Sequence, residues 1–275
     1  TSAPASAWSR DAHAIVCEIA WQRFTPAARK LVRDLRRADR AGSRTFAASC
    51  FWADTVHRRG GAHPQTKAYH YVNVPTGSAG IDPARDCSGP KRCVTWAIEH
   101  YGRQLTDTKL PQRTRAEALK FLAHFIGDVH QPLHVGRRED RGGNTLPVDY
   151  FGDFGRCGAR KERNLHQVWD RSILERAGFR WPEAARALHR DIDADSARNW
   201  ADTNFLGWAN ESFQLCETFV YAIPETVARC HGRRFGLIDQ SYNDRALAIT
   251  RERLQRAGVR LAHILDLAAR GELPW

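Results

Sequence analysis

Two histidine–aspartate pairs with the same spacing are the clearest chemical feature of this sequence. His124 precedes Asp128 by four residues, and His166 precedes Asp170 by four, so each pair shares one face of a helix. The neighbours of His124 and Asp128 are apolar, and a buried aspartate is rare unless it is paired or bound to a metal ion. Because zinc accepts histidine nitrogen and aspartate oxygen, the pairs indicate metal binding.

Further histidines and aspartates extend this set. They are His13, Asp54, His70 and His134. The eight residues exceed what one tetrahedral zinc site uses, which indicates a cluster of ions. Each residue alone has an ordinary alternative, a hydrogen-bonded core histidine or a capping aspartate, but the joint pattern favours metal binding.

Hydrophobic spacing predicts a mainly helical chain that would position these residues. The clearest helix covers 115–130, where apolar residues recur at helical spacing up to the Gln131-Pro132 break. Further helices are predicted over 11–24, 26–37, 45–56, 91–101, 183–199, 211–222 and 243–269. Residues 145–151 form the best strand, as one arm of a short hairpin. We therefore predict an all-α fold: a single, mainly helical domain with a short β-hairpin.

The charge balance leaves two interpretations open. Lysine and arginine outnumber aspartate and glutamate by 42 to 31, giving a formal net charge of +11. This fits either a solvated basic surface or a polyanionic partner such as nucleic acid. No apolar run approaches the roughly 20 residues of a membrane span, so none is expected.

The first seven residues predict a leader. Thr1 to Ala7 ends in Ala5-Ser6-Ala7, the small-x-small pattern of a signal peptidase site. We interpret residues 1–7 as a leader or signal-peptide remnant and 8–275 as the functional domain, secreted or periplasmic. A terminus without a role is the alternative.

The order of the motifs resembles the type I single-strand nucleases, zinc-dependent enzymes that also act as 3′-nucleotidases. The matching segments are W-x4-H (8–13), WAD (52–54), HYVN (70–73), RDC (85–87), ALKFLAHFIGDVHQPLH (118–134), GGN (142–144) and NLHQVWD (164–170). They follow the family's order as far as Asp170, and the remaining third matches only as generic helix.

This resemblance implies a phospholipase C/nuclease-like helical fold and three Zn²⁺ ions in one site. The first ion would be held by Asp54, His70, His124 and Asp128, and the second by His134, His166 and Asp170. The third would be held by His13, the shared Asp128, and the amino group and carbonyl oxygen of Trp8. Only cleavage after Ala7 gives Trp8 the free amine that this assignment requires.

The resemblance also implies roles in catalysis and substrate binding. Metal ions would activate water, which Asp54 would orient. Tyr71 would stack on an unpaired base, with an ordinary core aromatic as the alternative. The other expected substrate contacts are Asn73, Asn144, His57 and Arg58. The family's usual phosphate-binding arginine, three residues after Asp54, is replaced here by His57, with Arg58 next.

The expected function is hydrolysis of single-stranded DNA or RNA, and of 3′-nucleotides, by a monomeric enzyme. Two alternatives remain. A zinc phospholipase C has Glu in the final H-x3-E motif, where this chain has Asp170. A basic nucleic-acid-binding protein without catalysis would explain the charge but not the histidine–aspartate pattern.

The seven cysteines contain no CxxC pair, which argues against a structural zinc knuckle. We predict that Cys17 pairs with Cys50, tying the helix of His13 to the segment ending at Asp54, and that Cys87 pairs with Cys93. Cys216 with Cys230 is a predicted third pair, and Cys157 is the candidate for the unpaired thiol.

Overall fold

Helices dominate the computed structural model, as predicted. It describes residues 8–39, 44–58, 60–88, 92–152, 163–227 and 234–275. The α-helices are α1 (Arg10–Arg23), α2 (Pro26–Ala38), α3 (Phe46–Ser49), α4 (Ala53–Val56), α5 (Pro83–Asp86), α6 (Val94–Thr106), α7 (Gln112–Asp128), α8 (Leu165–Gln167), α9 (Ile173–Arg176), α10 (Glu183–Arg190), α11 (Ala194–Trp200), α12 (Phe205–Leu215) and α13 (Gln240–Arg270). Two 3₁₀ segments, Pro64–His70 and Pro132–Val135, and two π-helical segments, Val168–Ser172 and Cys216–Val220, complete the helical structure.

Side-chain caps explain where the main helices begin. Ser9 accepts the Ala12 N–H at the start of α1. Thr25 caps α2, with proline at the first helical position as predicted. Gly271 ends α13 with φ of 71°, a left-handed conformation that glycine adopts without steric cost.

Helix α7 lies in the core and packs along α6, α2 and α13. From Ala118 to its end its residues are buried, including His124 and Asp128. Helix α1 packs along α13 at very close range. A Cβ added at Gly258 of α13 would lie 2.5 Å from Cγ2 of Ile19, so only glycine permits this approach. The candidate ligands on α1 and α7 are thus carried by helices that pack in the core.

The predicted helix 45–56 is interrupted, which corrects the sequence interpretation. It forms α3 and α4, separated by Cys50–Trp52. The Cys50 carbonyl accepts a hydrogen bond from Nδ1 of His124 at 2.7 Å, a tertiary partner that the sequence does not reveal. The predicted helix 183–199 is likewise divided, because Asp193 caps a new helix, α11.

The predicted strand is confirmed within a larger sheet. β1 (Pro147–Tyr150) pairs antiparallel with β2 (Arg163–Asn164), with Pro147 opposite Asn164. β1 also pairs in parallel with β4 (Arg234–Ile238), which pairs antiparallel with β3 (Glu225–Val227), so the strand order is β2-β1-β4-β3. The sequence pattern does not indicate β3 and β4, because both are short and β4 is interrupted by Gly236.

Two of the three predicted disulfides are confirmed. Cys17–Cys50 joins α1 to the end of α3, and Cys87–Cys93 closes the turn before α6. The pair of Cys216 with Cys230 is wrong: the Cys216 thiol is free and buried, and it donates to the Pro132 carbonyl at 2.9 Å. Cys157, Cys230 and the proposed leader 1–7 lie outside the described residues. Within the described part, none of the helices is long and apolar enough to span a membrane.

A buried ionic network fixes α13 against α7 and α12. Arg253 and Arg260 of α13 are both buried, and both donate to the Glu211 carboxylate of α12 at 2.6 Å. Arg253 Nε also donates to the carbonyl of His130 at 3.2 Å, and Arg260 lies 2.9 Å from the His130 ring. Since His130 is two residues beyond Asp128, this network holds the end of the helix that carries the candidate ligands.

Replacing the carboxylate of this network should be strongly destabilising. Glu211→Gln leaves two buried guanidinium groups without their shared counter-charge, which should lower the free energy of unfolding by about 3 kcal/mol. Urea denaturation of the non-reduced protein measures the change. Glu252→Gln removes an exposed partner of Arg256 on α13 and should change stability by less than about 0.5 kcal/mol. Equal effects of the two substitutions would show that the buried network does not stabilise the fold.

Candidate metal centre

Four predicted ligands meet where α7, α4 and the segment Pro64–His70 come together. Oδ2 of Asp128 lies 2.9 Å from Nδ1 of His70 and 3.0 Å from Nε2 of His124, and these two nitrogens are 3.0 Å apart. Oδ1 of Asp54 lies 3.6 Å from each nitrogen. The structure therefore brings together the residues expected around the first ion.

The second predicted set also converges. Oδ1 of Asp170 lies 3.4 Å from Nε2 of His134, and Oδ2 lies 3.3 Å from Nε2 of His166. A capping box at Asn164 starts the short helix that carries His166, and the π-helical turn that follows places Asp170 beside it. All three ligand residues are buried.

Asp128 lies between these two sets of residues and also contacts His13. Its Oδ1 lies 3.4 Å from Nε2 of His13 and 3.2 Å from Nδ1 of His134. The His13 ring stacks on His124 with ring centres 3.8 Å apart. Trp8 is buried, and the N–H of the next residue, Ser9, donates to the Asp170 carbonyl at 3.0 Å. Trp8 therefore lies beside the second set of ligands.

Three groups of side chains in the described residues can each hold a metal ion, with ligand atoms within 4.8 Å of one another. They are His13 with His124 and Asp128, Asp54 with His57 and His70, and His134 with His166 and Asp170. The third group matches one predicted ligand set. The first two groups divide the remaining ligands differently from the sets that the family resemblance implies, and they add His57.

The hydrogen bonds around the histidines fit metal binding. Nδ1 of His124 donates to Cys50 O at 2.7 Å, and Nδ1 of His166 donates to Gly142 O at 2.7 Å. A carbonyl can only accept, so Nδ1 carries the proton and Nε2 presents its lone pair towards the carboxylates. Such donation to a carbonyl by the other ring nitrogen is typical of metal-binding histidines.

Several buried polar atoms of the site have no hydrogen-bond partner. They are both ring nitrogens of His13, both carboxylate oxygens of Asp54, Nε2 of His70 and Oδ1 of Asp128. An unpaired buried polar group is costly, and cations bound by these atoms would remove that cost. The donor set of imidazole nitrogen and carboxylate oxygen suits zinc.

Burial and neighbouring charges shift the pKa values of the candidate ligands in both directions. Desolvation lowers the pKa of His13 to about 4 and that of His70 to about 3, which keeps both imidazoles neutral. Burial also raises the pKa of Asp54 to about 7. Burial alone would raise the pKa of Asp128, but His124 and His134 hold it well below its usual value. Burial alone would lower the pKa of His134, but Asp128 and Asp170 raise it to about 10. The neutral imidazoles of His13 and His70 and an ionised Asp128 are forms that bind metal ions, whereas His134 must lose a proton to do so.

The residues expected to contact the substrate differ in their exposure and in their hydrogen-bond partners. Tyr71 is 38% exposed, next to the predicted ligand His70, so it is not a core aromatic. The His57 ring packs against His70, whereas Arg58 donates through Nε to the Asp54 carbonyl at 3.2 Å. Asn73 and Asn144 are half-buried, and the Asn144 amide donates to the Arg141 carbonyl at 2.9 Å within its own loop.

A residue that the sequence motifs did not indicate, Gln131, orients Asp170. Gln131 is fully buried; its Nε2 donates to Asp170 Oδ1 at 2.6 Å, and its Oε1 accepts the Leu133 N–H at 2.6 Å. The available signal was a polar residue between the ligands Asp128 and His134. The GGN motif also has a structural part, because a Cβ at Gly142 would lie 2.3 Å from Leu133 O.

A helical fold around three histidine–aspartate groups defines a metal-dependent class of protein, and sequence comparison identifies the family. A family model described as S1/P1 Nuclease matches residues 8–270, so the chain belongs to the S1/P1 nuclease family. The match includes the C-terminal third, which the motifs left unassigned. The predicted resemblance to single-strand nucleases is thereby confirmed.

Individual relatives agree with this assignment. Endonuclease 2 of Arabidopsis thaliana is 31% identical over 274 residues, covering 94% of this chain and 89% of the relative. Nuclease S1 of Aspergillus oryzae is 29% identical over 240 residues, covering 79% and 77%. Nuclease P1 of Penicillium citrinum is 30% identical over 199 residues, covering 71% and 65%.

Removing the amide that orients Asp170 should weaken metal binding without unfolding the protein. Gln131→Leu deletes both hydrogen bonds, and loss of such a supporting contact typically lowers metal affinity by about 10- to 100-fold. Titration of the metal-loaded protein with a chelator measures the change. Gln214→Leu, at an exposed position of α12, is the matched control. Identical chelator titrations for the two variants would remove Gln131 from the support of the site.

Proposed function

We propose that this protein is a zinc-dependent hydrolase of single-stranded DNA and RNA, and of 3′-nucleotides. The observation that carries the proposal is the buried Asp128 carboxylate, in contact with histidines of several groups, in a chain of the S1/P1 nuclease family. The phospholipase C alternative is less well supported, because the relatives reported above are named as nucleases.

Three Zn²⁺ ions are the proposed cofactors. The first would be held by Asp54, His70, His124 and Asp128, the second by His134, His166 and Asp170, and the third by His13, Asp128 and the terminal amine and carbonyl of Trp8. The distances between side chains within the first and second sets support this assignment. The atoms of His13, Asp54 and His70 that have no hydrogen-bond partner support it as well. Closely spaced divalent ions supply an activated water and a clamp on phosphate oxygens.

The chain's own residues supply orientation and recognition. Asp54 is the catalytic residue in this proposal: its second carboxylate oxygen is unpartnered and would orient the attacking water. Tyr71 offers an exposed ring next to His70 on which a base can stack. Stacking requires an unpaired base but tolerates any base, which accounts for a preference for single strands. The net charge of +11 favours the approach of a polyanion.

We also propose that the enzyme acts outside the cytoplasm, secreted or periplasmic, as a monomer. The two disulfides, Cys17–Cys50 and Cys87–Cys93, support an oxidising environment. In this proposal residues 1–7 are a leader that is removed, and residues 8–275 form the nuclease domain. The family match begins at Trp8, in agreement with this boundary.

The proposal is tested by metal content and substrate choice together. The natively purified protein should contain about three zinc ions per chain and should degrade single-stranded DNA faster than duplex DNA. Asp128→Asn should reduce both the metal content and the turnover, the latter by at least about 100-fold, while the fold persists by circular dichroism. Asp34→Asn on the exposed face of α2 is the control and should be unaffected. A metal-free protein, or an active Asp128→Asn variant, would refute the proposal.

The free amine of Trp8 is tested separately. A chain beginning at Trp8 should bind one more zinc ion than a chain retaining residues 1–7, because an amide nitrogen is a far weaker ligand than an amine. The amine must lose its proton to bind, so occupancy of this position should fall as the pH drops below about 8. A chain with one alanine added before Trp8 is the matched control and should resemble the longer chain. Equal zinc content and turnover in all three chains would exclude Trp8 as a ligand.

A further inference from the structure

His57 lies at the edge of the metal centre, at the C-terminal end of α4. Its ring contacts the His70 ring edge-on, with centres 4.7 Å apart. One of its ring nitrogens lies within 4.8 Å of both a ligand nitrogen of His70 and a carboxylate oxygen of Asp54. The side chain is half-buried, so it lies between the buried ligands and the solvent.

The hydrogen bonding of His57 determines which chemistry it can perform. Its Nδ1 lies 3.2 Å from the Ala53 carbonyl, which can only accept, so Nδ1 carries the proton. The other ring nitrogen, Nε2, takes no part in this hydrogen bond, and in the neutral imidazole it has a lone pair rather than a hydrogen to donate.

This chemistry differs from that of the arginine expected at position 57. An arginine is a permanent cation with several N–H donors that match phosphate oxygens. A neutral imidazole whose proton is committed to a carbonyl has no donor left for a phosphate. Its remaining lone pair is a ligand for a metal ion.

Atoms without hydrogen-bond partners near His57 are available to bind such an ion. Both carboxylate oxygens of Asp54 and Nε2 of His70 are buried and have no hydrogen-bond partner. Two imidazole nitrogens and a carboxylate oxygen form a donor set that zinc accepts. The geometry points to His57 as a further ligand of the metal ion held by Asp54 and His70, so that position 57 binds the metal rather than the phosphate. This inference rests on the proposed function.

Metal binding without substrate tests the assignment. We would compare wild type with His57→Gln, which keeps an amide able to donate to the Ala53 carbonyl but lacks the imidazole. Chelator competition should show that one ion binds about tenfold or more weakly in His57→Gln, with the other ions unchanged. His100→Gln, at a half-buried histidine of α6 outside the three groups, should bind all ions as wild type does.

A second variant gives a direct spectroscopic signature. In protein loaded with Co²⁺, His57→Cys places a thiolate at position 57 and should produce a sulfur-to-cobalt charge-transfer band in the near ultraviolet. His100→Cys should give no such band. The band requires contact between residue 57 and the ion, so a purely structural role of His57 would not produce it.

The outcomes separate this inference from the proposed function. Unchanged ion affinity in His57→Gln, together with the absence of the band in His57→Cys, would overturn the inference alone. Weaker inhibition of His57→Gln by inorganic phosphate, with unchanged metal binding, would assign residue 57 to the phosphate and would also overturn it. A wild-type protein that binds no ions would overturn both.

Discussion

The carboxylate of Asp128 is the interaction on which the rest of the structure depends. Its two oxygens lie 2.9–3.4 Å from nitrogens of His13, His70, His124 and His134. A buried carboxylate is stable only if it is paired or bound to a cation. The four histidines come from different parts of the chain. The packing contacts that position them therefore also maintain the surroundings of the Asp128 carboxylate.

The scaffold holds these histidines through contacts one step away from the ligands. The Cys17–Cys50 disulfide joins the helix of His13 to the segment before Asp54, and the Cys50 carbonyl accepts a hydrogen bond from Nδ1 of His124. The network of Arg253, Arg260 and Glu211 fixes the chain beyond the end of α7. Ligands placed on rigid, mutually braced elements keep their geometry when ions or substrates exchange.

The centre is closed inside and open at one edge. His13, His124 and Asp128 are fully buried, whereas Tyr71 is exposed and His57 is half-buried beside His70. Within the described residues, Tyr71 and His57 therefore lie on a side of the centre that faces solvent. In the proposed function, a base stacked on Tyr71 would lie at this side of the centre.

The sequence by itself determined the helical class, the location of α7 and the identity of the histidine–aspartate set. This was possible because helical periodicity and the four-residue spacing of His124 and Asp128 are local properties. The motif order was sufficient to indicate the family. The disulfides Cys17–Cys50 and Cys87–Cys93 also followed, whereas the pairing of Cys216 did not, since that thiol is committed to the Pro132 carbonyl.

Only the tertiary structure decided the remaining features. At the break between α3 and α4, the Cys50 carbonyl accepts a hydrogen bond from His124, which is 74 residues away in the chain. The strands β3 and β4 are short and are defined by pairing with each other and with β1. The place of Gln131 beside Asp170, and of His57 beside His70, follows from packing between distant segments. Periodicity and spacing report only which residues share a local face, so contacts of this kind are set by the folded chain.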